Sequence, residues 1–455
     1  MERRTGSINI RKPVESQSAI ESSTEQSTEN DSQSRIFKQN DITYYQLPLT
    51  NTDPNIILDN LLADDNLEEI MVLGTEKAVR VYHRHHGMCI TNIKFTESDL
   101  EQIVFRCTPQ TSTNVNKNES SNESSNESTN TNTNINTNIL IDGRLPDGSR
   151  LNITLPPASP DGITITIRKF PSDPLTFIDL INYKTMTPHL AAYLWICVEG
   201  LGFKPANILI AGGTGSGKTS TLNALSIFIP KRERLITIED TAEIVLKHDH
   251  WIRLEAVHNV SGSSDTGGIS ITMDDLVKNT LRMRPDRILI GEVRGSEAQT
   301  MFTAMNTGHE GTLGTLHANT ANETITRLTN PPMNVPVIMM SGLDLIIMQS
   351  RLNIHGKNVR RITEVVEVGG IENQNVKLNP IFKWNPVTDT IENTGVPSRM
   401  REKIATAAGI TLVEFDNIMR VREGYVKQIL ESGMRDSENL SRILGNIEAQ
   451  KAQQR

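Results

Sequence analysis

The spacing of hydrophobic positions changes near residue 175 and divides the chain into two parts of different character. Before that point, short apolar runs such as 78–83 and 163–168 alternate apolar and polar residues, which is typical of half-buried strands. A helix is predicted at 55–69 and a second one is expected to begin at Thr96 with a capping box. Residues 37–172 are therefore predicted to form an α+β domain.

After residue 175 the chain alternates helices with continuous apolar runs, at 207–211, 234–238 and 287–290. Runs of this kind suit a parallel sheet that is buried on both faces. This pattern predicts an α/β domain at 175–395. Beyond it the chain is predicted to be helical, and 396–455 is expected to form a small module of three helices.

Two polar tracts interrupt this pattern. Residues 1–36 are rich in Ser, Glu and Gln, and 111–138 consists of Ser, Thr, Asn and Glu apart from Val115, Lys117 and Ile135. Such segments bury too little apolar surface to offset the entropy of ordering. The first is predicted to be a disordered tail, and the second a disordered insertion within the N-terminal domain.

Composition limits the function classes. The 455 residues carry 46 Lys+Arg and 54 Asp+Glu, and this net charge of −8 argues against a protein that coats DNA or an anionic membrane. Cys89, Cys107 and Cys197 are too few and too scattered for a disulfide framework, so free thiols in a reducing compartment are expected. No run approaches the ~20 apolar residues of a spanning helix, and no signal peptide is recognised. We expect a soluble, cytosolic protein.

Residues 212–219, Gly-Gly-Thr-Gly-Ser-Gly-Lys-Thr, match the pattern G-x-x-x-x-G-K-[ST] of a phosphate-binding loop. Glycines allow backbone N–H groups to surround phosphate oxygens, and the following helix directs its positive dipole end at the same anion. Lys218 is expected to reach the β- and γ-phosphates, and the Thr219 hydroxyl to ligate Mg²⁺. The sequence thus predicts an ATP and Mg²⁺ site formed by Gly212, Gly213, Thr214, Gly215, Ser216, Gly217, Lys218, Thr219 and Ser220.

Carboxylates follow two of the predicted strands. Glu239, Asp240 and Glu243 lie just beyond the strand at 234–238, on the side where open α/β sheets bind ligands. Glu292 ends the strand at 287–290, next to Gly291, which stands where many P-loop enzymes carry an Asp that binds Mg²⁺. ATP hydrolysis needs such groups to orient water and hold the metal. Helix capping and surface ion pairs remain the alternative roles for these acids.

A histidine, His317, closes the apolar strand predicted at 311–316. In this position it could sense the γ-phosphate or a neighbouring subunit, although a lone His is usually a structural hydrogen-bond donor. From the residues alone, both readings stay open.

After the loop come residues 238–243 (Ile-Glu-Asp-Thr-Ala-Glu), 291–295 (Gly-Glu-Val-Arg-Gly) and 314–319 (Gly-Thr-Leu-His-Ala-Asn). These three phrases resemble the Asp box, Walker B segment and His box of the type II/type IV secretion ATPase superfamily. The match is specific because these phrases occur in the family's order and spacing, and it covers most of 60–435 outside the insertion. The sequence looks most like the archaeal branch that assembles archaella and type IV-like pili.

The resemblance implies a fold of the α/β class. It comprises a RecA-like P-loop NTPase domain with a parallel-core sheet, a smaller α+β N-terminal domain before it and a short helical module after it. It also implies roles for particular residues: Lys218 and Thr219 hold phosphate and Mg²⁺, Glu243 is the general base, Glu292 supports Mg²⁺ and the attacking water, and His317 lies on the γ-phosphate side. Arg144, Arg150 and Arg168 match the arginines that complete the site in a hexamer, although surface salt bridges remain an alternative for them.

Partners and location follow from the same resemblance. A homo-oligomer, expected to be a hexamer, would act on a polytopic membrane platform protein while lying in the cytoplasm at the inner face of the cell membrane. Bacterial type II secretion ATPases commonly carry a four-cysteine zinc module, which three dispersed cysteines exclude, so no bound zinc is expected.

The leading hypothesis is a ring-forming ATPase motor for pilus, archaellum or secretion-system assembly. A RecA-like motor that translocates nucleic acid is the alternative. It would need a basic channel with stacking aromatic residues, and the net charge of −8 and the 4% aromatic content argue against it. A third class, an interaction protein with a structural nucleotide, conflicts with the acids at both strand ends.

Overall fold

The computed structural model describes residues 34–39, 42–48, 51–84, 86–107, 139–170, 174–257 and 270–453, in two compact units whose boundary lies between Lys169 and Phe170. The insertion predicted at 111–138 and most of the tail predicted at 1–36 lie outside the described residues. The end of the predicted tail needs correction because a strand already begins at Arg35. Pairing with a second strand explains this start, since Phe37 stacks on Tyr44 at a centroid distance of 5.2 Å.

The first unit is an eight-stranded sheet with two helices. Its strands lie in the order β1-β2-β5-β4-β3-β8-β7-β6. The elements are β1 (Arg35–Gln39), β2 (Ile42–Gln46), α1 (Pro54–Ala63), β3 (Leu67–Leu73), β4 (Ala78–His83), β5 (Gly87–Lys94), α2 (Glu97–Cys107), β6 (Leu140–Arg144), β7 (Arg150–Thr154) and β8 (Thr164–Arg168). One hydrophobic cluster fills the space between sheet and helices. The capping box predicted at the start of α2 is confirmed, since the Asp99 amide donates to Thr96 Oγ1 and the Thr96 amide to Asp99 Oδ2.

The helix predicted at 55–69 is too long. Helix α1 ends at Ala63, and strand β3 begins four residues later at Leu67. The reason is tertiary, because β3 pairs with both β4 and the distant β8 and buries Ile70 and Val72 in the core. Helical spacing of apolar residues across 55–69 does not reveal these partners.

The second unit contains a nine-stranded sheet in the order β11-β10-β12-β13-β9-β14-β15-β16-β17. Its strands are β9 (Ile208–Gly212), β10 (Leu235–Glu239), β11 (Trp251–Glu255), β12 (Arg287–Val293), β13 (Leu313–Leu316), β14 (Leu345–Ile354), β15 (Lys357–Glu372), β16 (Asn375–Asn385) and β17 (Thr390–Asn393). The strands from β11 to β14 in this order pair in parallel, and the last three add antiparallel pairs. The predicted α/β fold with a parallel-core sheet is confirmed.

Helices cover both faces of this sheet, where two separate hydrophobic clusters form. They are α3 (Phe177–Asn182), α4 (Pro188–Glu199), α5 (Lys218–Ser226), α6 (Met273–Thr280), α7 (Glu297–Asn306), α8 (Ala321–Thr329), α9 (Arg399–Ala408), α10 (Leu412–Glu431) and α11 (Ser437–Gln453). Within the described ranges, the structure contains no helix with the length and hydrophobicity needed to cross a membrane.

The three C-terminal helices belong to the second unit and share its core. The buried Arg422 of α10 stacks over the Trp195 ring of α4 at 4.4 Å and forms an ion pair with Glu199. Met400 and Phe415 belong to the same hydrophobic cluster as α4. The segment predicted as a separate module is therefore packed against the sheet domain.

Candidate functional site

The glycine-rich loop connects β9, the middle strand of the nine-stranded sheet, to α5. Gly215 and Gly217 adopt φ angles of +69° and +94°, which L side chains rarely adopt. Gly212 is packed so closely that a Cβ would overlap the carbonyl oxygen of Gln349 on β14. Helix α5 begins at Lys218, directly after the loop, so its first amides lie where a phosphate would bind.

Lys218 is folded against the loop and is only 9% exposed. Its Nζ donates to the carbonyl oxygens of Gly212 and Gly213, at 3.0 and 3.1 Å. Burial lowers the pKa of Lys218, and the nearby charges of Glu292 and Glu243 act in the opposite direction. An ammonium in this position can exchange neutral carbonyl partners for phosphate oxygens, which are stronger acceptors.

The start of α5 is braced by the neighbouring strand. Thr221 Oγ1 donates to Oε1 of the buried Gln349 at 2.7 Å. Thr219 and Ser220 remain half-buried. Mg²⁺ is usually held by one or two protein oxygens together with phosphates and water, and the Thr219 hydroxyl is an oxygen donor of the right kind.

The first carboxylate, Glu239, ends β10 and shapes the turn that follows. It is 2% exposed, and its Oε1 accepts the backbone N–H groups of Glu243 and Ile244 at 2.7 and 2.9 Å. Burial raises the pKa of Glu239 to about 7, although these two hydrogen bonds lower it. Glu239 therefore holds the backbone of Glu243, the predicted general base.

Gly291 provides the space for Glu239. A Cβ built on Gly291 would lie 2.8 Å from Cγ of Glu239 and 3.2 Å from its Oε1. The sequence shows that Gly291 replaces an Asp found in many P-loop enzymes. It does not show that the Glu239 side chain, from the adjacent strand β10, occupies the space beside Gly291. This positioning role of Glu239 was missed in the sequence.

Glu292 follows Gly291 on β12 and forms an ion pair with Arg294, whose Nη2 lies 2.7 Å from Oε2. This hydrogen bond raises the pKa of Arg294, and the charges of Asp240 and Glu243 raise it further. Arg294 is therefore paired with Glu292, and the charges of the acids that follow β10 also act on it, although its side chain is largely exposed. Arg294 lies within the Walker B segment, and the sequence predicts no role for it.

The segment that contains His317 lies beside the same loop. His317 directly follows β13 and is half-buried. Two residues later, Asn319 Oδ1 lies 3.6 Å from a Cβ built on Gly213, and Thr315 Oγ1 donates to the Gly291 carbonyl at 2.5 Å. The three predicted motifs thus meet at the carboxyl edge of the sheet.

The three predicted arginines lie in the first unit, in one row across neighbouring strands. Arg144 is paired with Arg150, and Arg150 with Arg168. Arg150 also forms an ion pair with Asp142 at 2.9 Å, and Arg144 Nη1 donates to the Gly148 carbonyl at 3.3 Å. Paired residues of antiparallel strands share a face of the sheet, so the three side chains lie on one side.

The chain is similar to known proteins in both sequence and structure. The family described as "Type II/IV secretion system protein" matches residues 76–401. The uncharacterized protein MJ0781 of Methanocaldococcus jannaschii is 30% identical over 556 aligned residues, which cover 85% of this chain and 74% of that protein. The protein VirB11 of Agrobacterium fabrum is 36% identical over 200 residues, 38% of this chain and 55% of VirB11. Among solved structures, the Legionella pneumophila ATPase DotB is 16% identical with a TM-score of 0.47, covering 88% of this chain and 98% of DotB.

Proposed function

Because the chain belongs to the type II/IV secretion system protein family, we propose that it couples ATP hydrolysis at the loop between β9 and α5 to the work of a filament or secretion machine. It is a P-loop ATPase of that family, with the RecA-like fold. The observation that carries the proposal is that the loop after β9, the turn after β10 with Glu243, and Glu292 on β12 lie at the carboxyl ends of strands of one parallel sheet.

Nucleotide binding would use the loop amides of 212–220 and the Lys218 ammonium, which neutralises charge on the β- and γ-phosphates. The Thr219 hydroxyl would ligate Mg²⁺, with Glu292 supporting it. When bound, Mg²⁺ would draw charge from the phosphate oxygens and orient them.

Hydrolysis would begin when Glu243 accepts a proton from a water molecule that attacks the γ-phosphorus. The new P–O bond forms as the bond to the β-phosphate oxygen breaks, so ADP and inorganic phosphate are produced. Glu239 would keep Glu243 in place, because it binds the Glu243 amide. Glu292 would help to orient the water, and His317 would lie on the γ-phosphate side.

Oligomerisation would complete the site. We infer a hexamer in which Arg144, Arg150 and Arg168 supply positive charge to the γ-phosphate. Their alignment in one row supports a shared role, since cations on adjacent strands concentrate positive potential on one face. Contacts to the γ-phosphate would form when ATP binds and break after hydrolysis, and this change would drive the conformational cycle of the motor.

The machine would be a type IV-like pilus, an archaellum or a related secretion system, and the partner a polytopic membrane platform protein. The chain would act in the cytoplasm, peripheral to the inner face of the cell membrane. The resemblance of the motifs to the archaeal branch and the match to the type II/IV secretion system protein family support this assignment.

Two substitutions test the proposal. Lys218→Ala is expected to abolish ATP turnover, and Glu292→Gln to leave ATP bound but intact, both measured by phosphate release and by nucleotide retention. Arg420→Gln, which changes an exposed residue of α10, serves as the control. Normal turnover in either site variant would refute the assignment. Strong stimulation by DNA with salt-sensitive DNA binding would favour a nucleic-acid motor instead.

A further inference from the structure

The long hairpin formed by β14 and β15 lies against the phosphate-binding loop of the same chain. Strand β14 pairs in parallel with β9, placing Gln349 beside Gly212. From β15, Arg360 Nε donates to the Gly215 carbonyl at 3.0 Å, and its Cδ lies 3.2 Å from a Cβ built on Gly217. The loop is therefore held from outside by a guanidinium that the predicted motifs do not include.

A second arginine of the hairpin lies at the same place. A Cβ built on Gly215 would lie 3.7 Å from Nη1 of Arg351 on β14. Arg351 and Arg360 are direct partners across the antiparallel pair, so both side chains leave the same face of the hairpin. Two positive side chains thus flank the middle of the loop.

This pairing is unfavourable without an anion. Like charges directly opposite each other on a sheet destabilise it. Both arginines are exposed, and among the described residues neither the Arg351 guanidinium nor the two terminal nitrogens of Arg360 has a hydrogen-bond or ion-pair partner. The donors that remain are suited to oxygens of a phosphate group, which guanidinium binds in a bidentate manner.

We propose that Arg351 and Arg360 form a clamp on the polyphosphate of the nucleotide bound in the loop of the same chain. This inference rests on the proposed ATP site, because the anion it requires is the one that the loop would hold. The clamp would add positive charge from the subunit that binds the nucleotide, in addition to the charge that the first-unit arginines would supply in the proposed hexamer. Arg360 also positions the loop through the Gly215 carbonyl.

The clamp makes opposite predictions for nucleotide binding and for stability. Arg351→Gln and Arg360→Gln are each expected to weaken ATP and ADP binding by about tenfold, since each removes charge-assisted hydrogen bonds. Without nucleotide, Arg351→Gln is expected to leave the melting temperature unchanged or raise it, because the like-charge contact disappears. A residue with only a structural role would lower the melting temperature and leave the affinity of the folded protein unchanged.

The experiment is a titration of full-length wild type and variants with a fluorescent ATP analogue, with unlabelled ATP and ADP as competitors, at low and high salt. The clamp predicts a steeper dependence of affinity on salt in wild type than in the double variant Arg351→Gln/Arg360→Gln. Arg360→Lys, which keeps the charge but lacks the planar fork, is expected to retain part of the affinity. Arg420→Gln is the matched control on an exposed helix.

The outcomes separate this inference from the proposed function. If wild type bound no nucleotide, the ATP site itself would be wrong. If wild type bound ATP and lost it on Lys218→Ala, while the double arginine variant bound within twofold of wild type with the same salt dependence, the clamp would be wrong and the ATP site would stand.

Discussion

Replacing Gly291 by alanine tests how closely the two acid-bearing strands are fitted together. Gly291 has no left-handed φ, so alanine suits its backbone. Its methyl group, however, would lie 2.8 Å from Cγ of Glu239 and 3.4 Å from its Cβ. Because these atoms are close to the backbone of β10, Glu239 can yield only by moving its carboxylate or the strand. That displacement weakens the hydrogen bonds to the amides of Glu243 and Ile244.

The expected loss can be estimated from this geometry. Overpacking of a buried position costs about 1–3 kcal/mol of stability. A shift of about 1 Å in a catalytic group can reduce the rate by about 100-fold. Gly291→Ala is therefore expected to lower kcat by about 10- to 100-fold, with a much smaller change in KM, because the nucleotide-binding loop is not displaced.

Steady-state ATP hydrolysis and chemical denaturation measure both effects. Gly424→Ala on α10 is the control, since a Cβ there meets nothing within 4 Å and helix propensity favours alanine. In a double variant with Glu239→Gln, the losses in activity should be less than additive, because both changes act on one contact. Wild-type kcat for a folded Gly291→Ala protein would refute the role assigned to Glu239.

Two further predictions concern buried charges, and each has its own measurement. Burial raises the pKa of Glu239 from 4.5 to about 7, so between these pH values the folded protein keeps a proton that the unfolded chain loses. Protonated Glu239 therefore contributes to the free energy of unfolding. This contribution is complete below about pH 4.5 and is lost as the pH rises through 7. Glu239→Gln should therefore gain up to about 3 kcal/mol over wild type in free energy of unfolding between pH 4.5 and 8, and a difference independent of pH would contradict the raised pKa. Arg422→Ala should lower the free energy of unfolding by about 3–5 kcal/mol because it leaves the buried Glu199 without its partner. A decrease below about 1 kcal/mol, close to that of the control Arg420→Gln, would show that the ion pair contributes little to stability.

Much of the site was predictable because its residues lie in short contiguous sequence motifs. The pattern that ends in Lys218 and Thr219 specifies both a loop and the helix after it, and the structure places α5 there. Glu243 and His317 follow the buried strands β10 and β13, and Glu292 lies near the end of β12. Parallel strands bring their carboxyl ends to one edge of the sheet. The roles of these residues, and of Arg144, Arg150 and Arg168, stay predictions.

The features that sequence reasoning missed depend on pairing between distant segments. Glu239 and Gly291 are neighbours only because β10 pairs with β12, and Arg351 meets Arg360 only through the register of β14 with β15. The antiparallel strands after β14 were not predicted, since their outer ends are exposed and lack a continuous apolar run. The end of α1 was misplaced for the same reason, because β3 is defined by partners that lie elsewhere in the chain.

The most direct measurement follows the terminal phosphate of ATP through one turnover. Purified wild type is mixed with Mg²⁺ and ATP labelled at the γ-position, and Glu243→Gln is treated in parallel. Wild type should bind the label and release it as inorganic phosphate, whereas Glu243→Gln should hold intact ATP for far longer. If wild type did not bind ATP, the claim that the loop binds the triphosphate would be contradicted. If Glu243→Gln released phosphate at the wild-type rate, the claim that Glu243 activates the attacking water would be contradicted.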